Sequence, residues 1–250
     1  MKIKWIVESK DVLKAKKFLD RYYDNPFVQY RIHNTIENEN PDLSIETFWL
    51  KNVACLLTSQ QKSGPNSPVS NFIRMEPFPL GYDICINQED LSTFVTNTLR
   101  EFGGIRFVNN LGRFISENMA RLQDGLWLLT GEILEGLKQD ITPEGERRTA
   151  DFIQKNYLGF GQKQARNLLQ ALGLARYEIP IDRRVVKWLN KFGFPLKFST
   201  TDLQSKDYYS LVSDGIQALC AEMGIYPVVL DAAIFASFDI DPWTEENVIW

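Results

Sequence analysis

Two residues able to do chemistry stand where short amphipathic runs begin: Lys163 in "YLGFGQKQARNLL" and Asp182 in "IPIDRRVVKWLNK". An amine suits nucleophilic attack and a fixed carboxylate suits steadying positive charge. The alternative for Lys163 is a phosphate-binding lysine, and Asp182 can be a plain N-cap, a role compatible with the chemical one. Just upstream, Gly159, Phe160 and Gly161 turn the chain. Backbone N–H groups at such a hinge, followed by a helix start, can seat a phosphate. A helix–turn–helix hairpin with a glycine cap explains the same residues without a ligand.

The second run carries a clearer signal. Val185, Trp188, Leu189 and Phe192 take helical spacing for an inward face, and Gly193 stops the run. Arg183 or Arg184, Lys187 and Lys191 then line the other face at i, i+4, i+8, with no glutamate interleaved. Like charges at that spacing cost an isolated helix about 0.2–0.5 kcal/mol per pair. An external polyanion such as a nucleic-acid backbone would relieve them by counterion release, holding a duplex without reading its sequence. The protein's net charge is −4, but residues 155–197 hold nine basic and two acidic side chains, +7 against −11 for the other 207 residues. A basic patch on an acidic body fits a partner that is anionic at one face.

These runs need elements to position them. Residue content is 44% hydrophobic and 24% charged over 250 residues, ordinary for a globular chain with a sizeable core. Neither a membrane span nor a signal peptide is legible, and an intracellular monomer is the expectation. Cys55, Cys85 and Cys220 are far apart and odd in number, so they read as buried thiols; neither a metal site nor an iron–sulfur cluster is expected. Periodicity and punctuation predict helices over 9–24, 44–61, 87–104, 106–125, 130–140, 142–159 and 161–172. Further helices are predicted at 182–193, within 199–224 and over 226–238, with an irregular tail from 239. Strand signals are confined to "MKIKWIV" and "GYDICIN". The fold class is mainly α.

Taken together, "YLGFGQKQARNLL", "IPIDRRVVKWLNK" and the upstream "LLTSQQ" resemble the helix–hairpin–helix DNA glycosylases of base-excision repair, in the right order over residues 44–193. The resemblance implies two interlocked helical subdomains with the hairpin at their cleft: a helical barrel over 42–175, and 1–41 together with 176–250. By motif position Lys163 falls on the lysine that attacks the sugar in bifunctional members, and Asp182 on the family's carboxylate. Gly159, Phe160, Gly161, Gln162, Arg166, Arg183, Arg184 and Lys187 fall among the DNA-binding positions, and Gln60 where the family reaches into the duplex. Asp231, an acid inside the apolar "VVLDAAIF", is a candidate for the base pocket, with a structural arginine pair as its alternative. Arg183-Arg184 departs from the Val/Thr-His usual after the aspartate, and the four-cysteine cluster loop is missing. Cluster-free members with the lysine are mostly 8-oxoguanine glycosylases with lyase activity, so duplex DNA holding a damaged base is the implied partner. No cofactor is expected, though a monovalent cation at the hairpin carbonyls would fit the family. The rival expectations are a monofunctional glycosylase for alkylated or deaminated bases, a non-catalytic binder of damaged DNA, and a helical scaffold.

Overall fold

The structure is a computed structural model and describes residues 4–248. Thirteen α-helices account for most of its regular structure among the described residues: α1 (Ser9–Leu19), α2 (Pro26–Ile32), α3 (Ile45–Leu57), α4 (Pro68–Ile73), α5 (Tyr82–Cys85), α6 (Leu91–Phe102), α7 (Val108–Arg121), α8 (Trp127–Gln139), α9 (Pro143–Asn156), α10 (Gln162–Ala171), α11 (Arg183–Phe192), α12 (Lys206–Met223) and α13 (Pro227–Ser237). No strand occurs among the described residues. "GYDICIN" forms the single turn of α5, while "MKIKWIV" is extended without pairing from Lys4 onward and its first three residues lie outside the described part.

Side-chain caps set most of the helix starts. Ser44 Oγ accepts from Thr47 N, Asp90 from Thr93 N, Thr142 from Gly145 N and Ser205 from Tyr208 N, each satisfying a donor that has no intrahelical partner. Asn25-Pro26, read from sequence as a stop, also starts α2: Asn25 accepts from Phe27 N and Pro26 takes the first helical position. The first helix correspondingly ends at Leu19, five residues short of expectation.

Helix α3 is apolar on nearly every side and is buried through Phe48, Trp49, Val53, Ala54, Cys55, Leu56 and Leu57. It packs against α5, α7 and α10. Helices α6 and α7 form an antiparallel pair, and α9 packs on both α8 and α10. Helix α13 touches α2, α11 and α12, and α12 packs on α1. Among the described residues the tail contains no helix, yet Trp243 is buried, donates to Asp239 and packs tilted against Phe27 and Phe235. The three cysteines are buried and unbonded to one another. Burial pushes the Cys55 thiol up to about 12, which makes it inert as a nucleophile. No single described helix is long and apolar enough to cross a membrane.

Candidate active site and nucleic-acid interface

The hairpin turns where α9 meets α10. Gly159 sits at φ +87°, and a Cβ there would lie 2.6 Å from Leu56 Cδ2 and 2.8 Å from Phe114 Cδ2. Both the left-handed backbone and the close approach demand glycine. Helix α10 then buries Ala165, Leu168 and Leu169 against the core. Its opposite face carries Lys163, Asn167 and Gln170 at i, i+4, i+7, all opening onto one cleft.

That cleft measures about 450 Å³ counted to its open mouth. Phe27 and Arg31 enter it from α2, Thr58 and Ser63 from the segment after α3, Pro180 and Asp182 from the approach to α11, and Asp231 and Phe235 from α13. The structure brings Lys163, Asp182 and Asp231 to one opening. Lys163 is half-buried, its Nζ 3.1 Å from Gln164 Oε1. Asp182 caps α11: Oδ1 accepts from Arg184 N at 2.7 Å and Val185 N at 3.1 Å. Its Oδ2 accepts nothing among the described residues.

Several predicted ligand contacts are corrected. Arg166 is only 1% exposed and cannot touch a duplex. Its Nε donates to Glu178 Oε2 at 2.6 Å, and its Nη1 to Gln162 Oε1 at 2.8 Å. Gln162 is therefore buried as well, and the Phe160 ring packs edge-on against Tyr157. At Phe160 and Gln162 only the backbone remains for a phosphate. Arg184 is neutralised by Asp239 at 3.0 Å and lies over the Phe235 ring, 3.8 Å from its centroid. Of the two arginines, Arg183 is the one that joins Lys187 and Lys191 on the exposed face of α11.

What Arg166 does instead is tie α10 to the loop that delivers Asp182. Burial alone would raise the Glu178 carboxyl, but the guanidiniums of Arg166 and Arg147 outweigh it and hold the group below its usual range. Arg147 bonds Glu178 and Asp214, both at 2.6 Å. Buried Glu146 takes the N–H groups of Arg176 (2.7 Å), Tyr177 and Glu178 (2.6 Å). Tyr209 donates to Ile179 O and accepts from Ile181 N. Residues 176–181 are clamped, so the carboxylate is held in register with the amine. Arg166→Leu is expected to cost about 3 kcal/mol or more, because Glu178 loses a partner inside the protein. A fall in the thermal midpoint without loss of phosphate contacts would show it.

A second pocket, about 560 Å³ counted to its open mouth, lies beside the hairpin at Gly159. It is lined by Gln60, Arg106, Phe107, Asn110, Phe114 and Gly159 among others. Gln60 lies beyond the end of α3 at φ +56°, and Phe107 at φ +60° is 45% exposed. A large aromatic residue held left-handed and exposed is strained backbone in search of a partner. The Arg106 guanidinium lies over its ring at 4.8 Å, and the Arg106 backbone N–H donates to Gln61 Oε1 at 2.9 Å. Of the residues lining the two openings, Gln60 was named from the sequence, and Phe107, Arg106, Arg31, Asn167 and Gln170 were not. The i, i+4, i+7 polar face behind Lys163 was a legible signal for the last two.

The hairpin carbonyls of Asn156 and Leu158 already accept from Arg121 Nη1 and Asn118 Nδ2.

No protein-family model matches the chain. It is 24% identical over 191 residues to an 8-oxoguanine DNA glycosylase/AP lyase of Sulfolobus acidocaldarius, covering 76% of this chain and 81% of that one. A protein of the same name from Thermoplasma acidophilum is 23% identical over 158 residues, covering 60% and 74%. The fold matches that of the Methanocaldococcus jannaschii 8-oxoguanine glycosylase/lyase in complex with a 15mer DNA containing 8-oxoguanine, with a TM-score of 0.68, 15% identity, and 91% and 98% of the two chains covered. It also matches the 8-oxoguanine DNA glycosylase of Thermotoga maritima, with a TM-score of 0.62, 17% identity, and 93% and 98% covered. In sequence and in fold, this all-helical chain resembles the 8-oxoguanine DNA glycosylase/AP lyases.

Proposed function

We propose that the protein is a DNA glycosylase with AP lyase activity that removes 8-oxoguanine from duplex DNA. The observation that carries this reading is the convergence of Lys163 and Asp182, from separate segments, on one aromatic-walled cleft. Among the described residues, Lys163 is the sole primary amine lining it.

The everted nucleotide enters the cleft at a cost of a few kcal/mol of unstacking. The lone pair of Lys163 Nζ attacks C1′ as the C1′–N9 bond breaks, and the purine leaves with the bonding electrons and takes a proton. Nζ gives up a proton, the sugar ring opens at C1′–O4′, and a C1′=N iminium forms. Removal of a C2′ proton then expels the 3′ phosphate and nicks the strand. Asp182, its Oδ1 held by the N–H groups of Arg184 and Val185, steadies the oxocarbenium-like charge and receives the amine's proton. Phe107 wedges into the stack from the second cavity, which takes the orphaned base beside Gln60 and Arg106.

Arg183, Lys187 and Lys191 grip phosphates along α11. Lys187→Ala is expected to weaken binding to all duplexes alike and to lower the slope of log K against log salt by about 1. Arg184→Ala, already paired with Asp239, changes that slope little. A panel of single-lesion duplexes tests the activity itself: release of 8-oxoguanine with concomitant nicking is expected. Release of alkylated or deaminated bases without nicking would contradict it.

A further inference from the structure

Helix α1 carries a charge pattern that neither opening uses. Residues 9–21 hold five basic side chains and two acidic ones. Lys10, Lys14, Lys17 and Arg21 recur at i, i+4, i+7 and i+11 and are all exposed, while Ala15 and Leu19 bury the other side. Glu8 pairs with Lys10, and Asp11 turns back to accept from Glu8 N. Lys14, Lys17 and Arg21 enter no ion pair among the described residues, and neither do Arg183, Lys187 and Lys191 on α11.

The fold sets these two rows side by side. Phe18 packs on Trp188 with ring centroids 5.1 Å apart. Lys14 Nζ donates to Phe192 O and lies 4.9 Å from the Phe192 ring centroid. The contacts advance along α1 from 14 to 18 and retreat along α11 from 192 to 188, so the helices pass antiparallel. At about 100° per residue, Phe18 stands between buried Ala15 and the row at Lys14 and Arg21, and Trp188 between buried Val185 and Lys191. The aromatic joint thus separates core from cations on both helices, and both rows face the same side of the molecule. Like charges three and four residues apart repel within each row, and α1 adds repulsion from its neighbour. The Phe192 carbonyl relieves Lys14 alone.

We propose that Lys14, Lys17 and Arg21 form a second phosphate-binding row, gripping the arm of the duplex that α11 holds and enlarging the footprint beyond the flipped nucleotide. The proposal rests on α11 binding duplex backbone. A duplex strand offers one phosphate per about 3.4 Å of rise, a regular line of charge for both rows to share. Continuity with α11 is what favours DNA here over an acidic protein surface. None of the three residues lines the cleft or the second opening, so the row acts on affinity and not on the chemical step.

The double variant Lys17→Ala/Arg21→Ala tests this and leaves the Lys14 contact with α11 in place. On a duplex carrying an abasic-site analogue, the slope of log K against log salt is expected to shrink by about 2, with affinity at 0.1 M salt falling at least about 10-fold. Single-turnover release of 8-oxoguanine at saturating protein should hold at the wild-type rate. Lys16→Ala removes a charge from another side of α1, exposed but outside the row, and should change the slope little. Shortening one arm of the duplex should cost the wild type that same affinity and cost the double variant nothing further. An unchanged slope in the double variant would overturn the proposal. So would a loss that is indifferent to arm length, or one that Lys16→Ala reproduces per charge, since either would assign the effect to net charge alone. Wild type that binds the duplex with a steep salt slope yet releases no 8-oxoguanine would sink the enzymatic reading, while the slopes would still decide the role of α1.

Discussion

Replacing Lys163 with glutamine is expected to abolish both base release and strand nicking, by at least about 10³-fold in single-turnover rate. The substitution removes the only primary amine in the cleft lining among the described residues, while retaining most of the side-chain length and a hydrogen-bond donor for Gln164 Oε1. Position 163 is half-buried in the first turn of α10, and glutamine is a good helix former, so the fold should be unaffected. Affinity for duplex should fall only as far as the loss of one positive charge dictates. That pattern separates a nucleophile from a phosphate-binding lysine. A phosphate-binding lysine would lose affinity in proportion to rate, and saturating protein would restore activity. Nicking that persists in Lys163→Gln would contradict the assignment outright.

Asp182→Asn should give the second largest effect, a fall of about 10²–10³ in the rate of base release with little change in stability. Asparagine is as good an N-cap as aspartate, and its side-chain oxygen can keep the bonds from Arg184 N and Val185 N. The thermal midpoint should therefore stay within about 3 °C of wild type. What is lost is negative charge beside the sugar. Asp182→Ala makes the comparison complete, since it removes the cap too and should cost about 1 kcal/mol in addition. If rate and stability fell in parallel across the two variants, the aspartate would be a cap and nothing more.

Much of this arrangement was legible in sequence because it is local. Lys163 and Asp182 each declare themselves by a position relative to a helix start, and the glycine hinge by residues that tolerate φ +87°. The long α3 and the capped α9 follow from apolar periodicity and from Ser44 and Thr142. What stayed hidden is non-local. Arg166 looks like a surface cation on an amphipathic helix, and only the return of the chain twelve residues later, with Glu178, buries it. Arg184 and Arg183 are neighbours in sequence, and the fold alone decides that Asp239 claims the first. Arg31, Gln170 and Asp231, hydrogen-bonded in series on the cleft wall, join three elements separated by 139 and 61 residues, beyond any window of periodicity. Helix α2 was missed for a different reason. Asn-Pro ends one helix and caps the next with the same two residues, and seven residues give too short a run to reveal a second period.

The central claim is a covalent one: an amine from the first turn of α10 joins the sugar of a damaged nucleotide. Borohydride reduction of the protein mixed with a duplex carrying 8-oxoguanine, followed by digestion and mass analysis of the cross-linked peptide, reads that bond directly. The account predicts a stable protein–DNA adduct whose attachment maps to Lys163. Absence of any adduct while base is still released, or attachment at a different lysine, would contradict it.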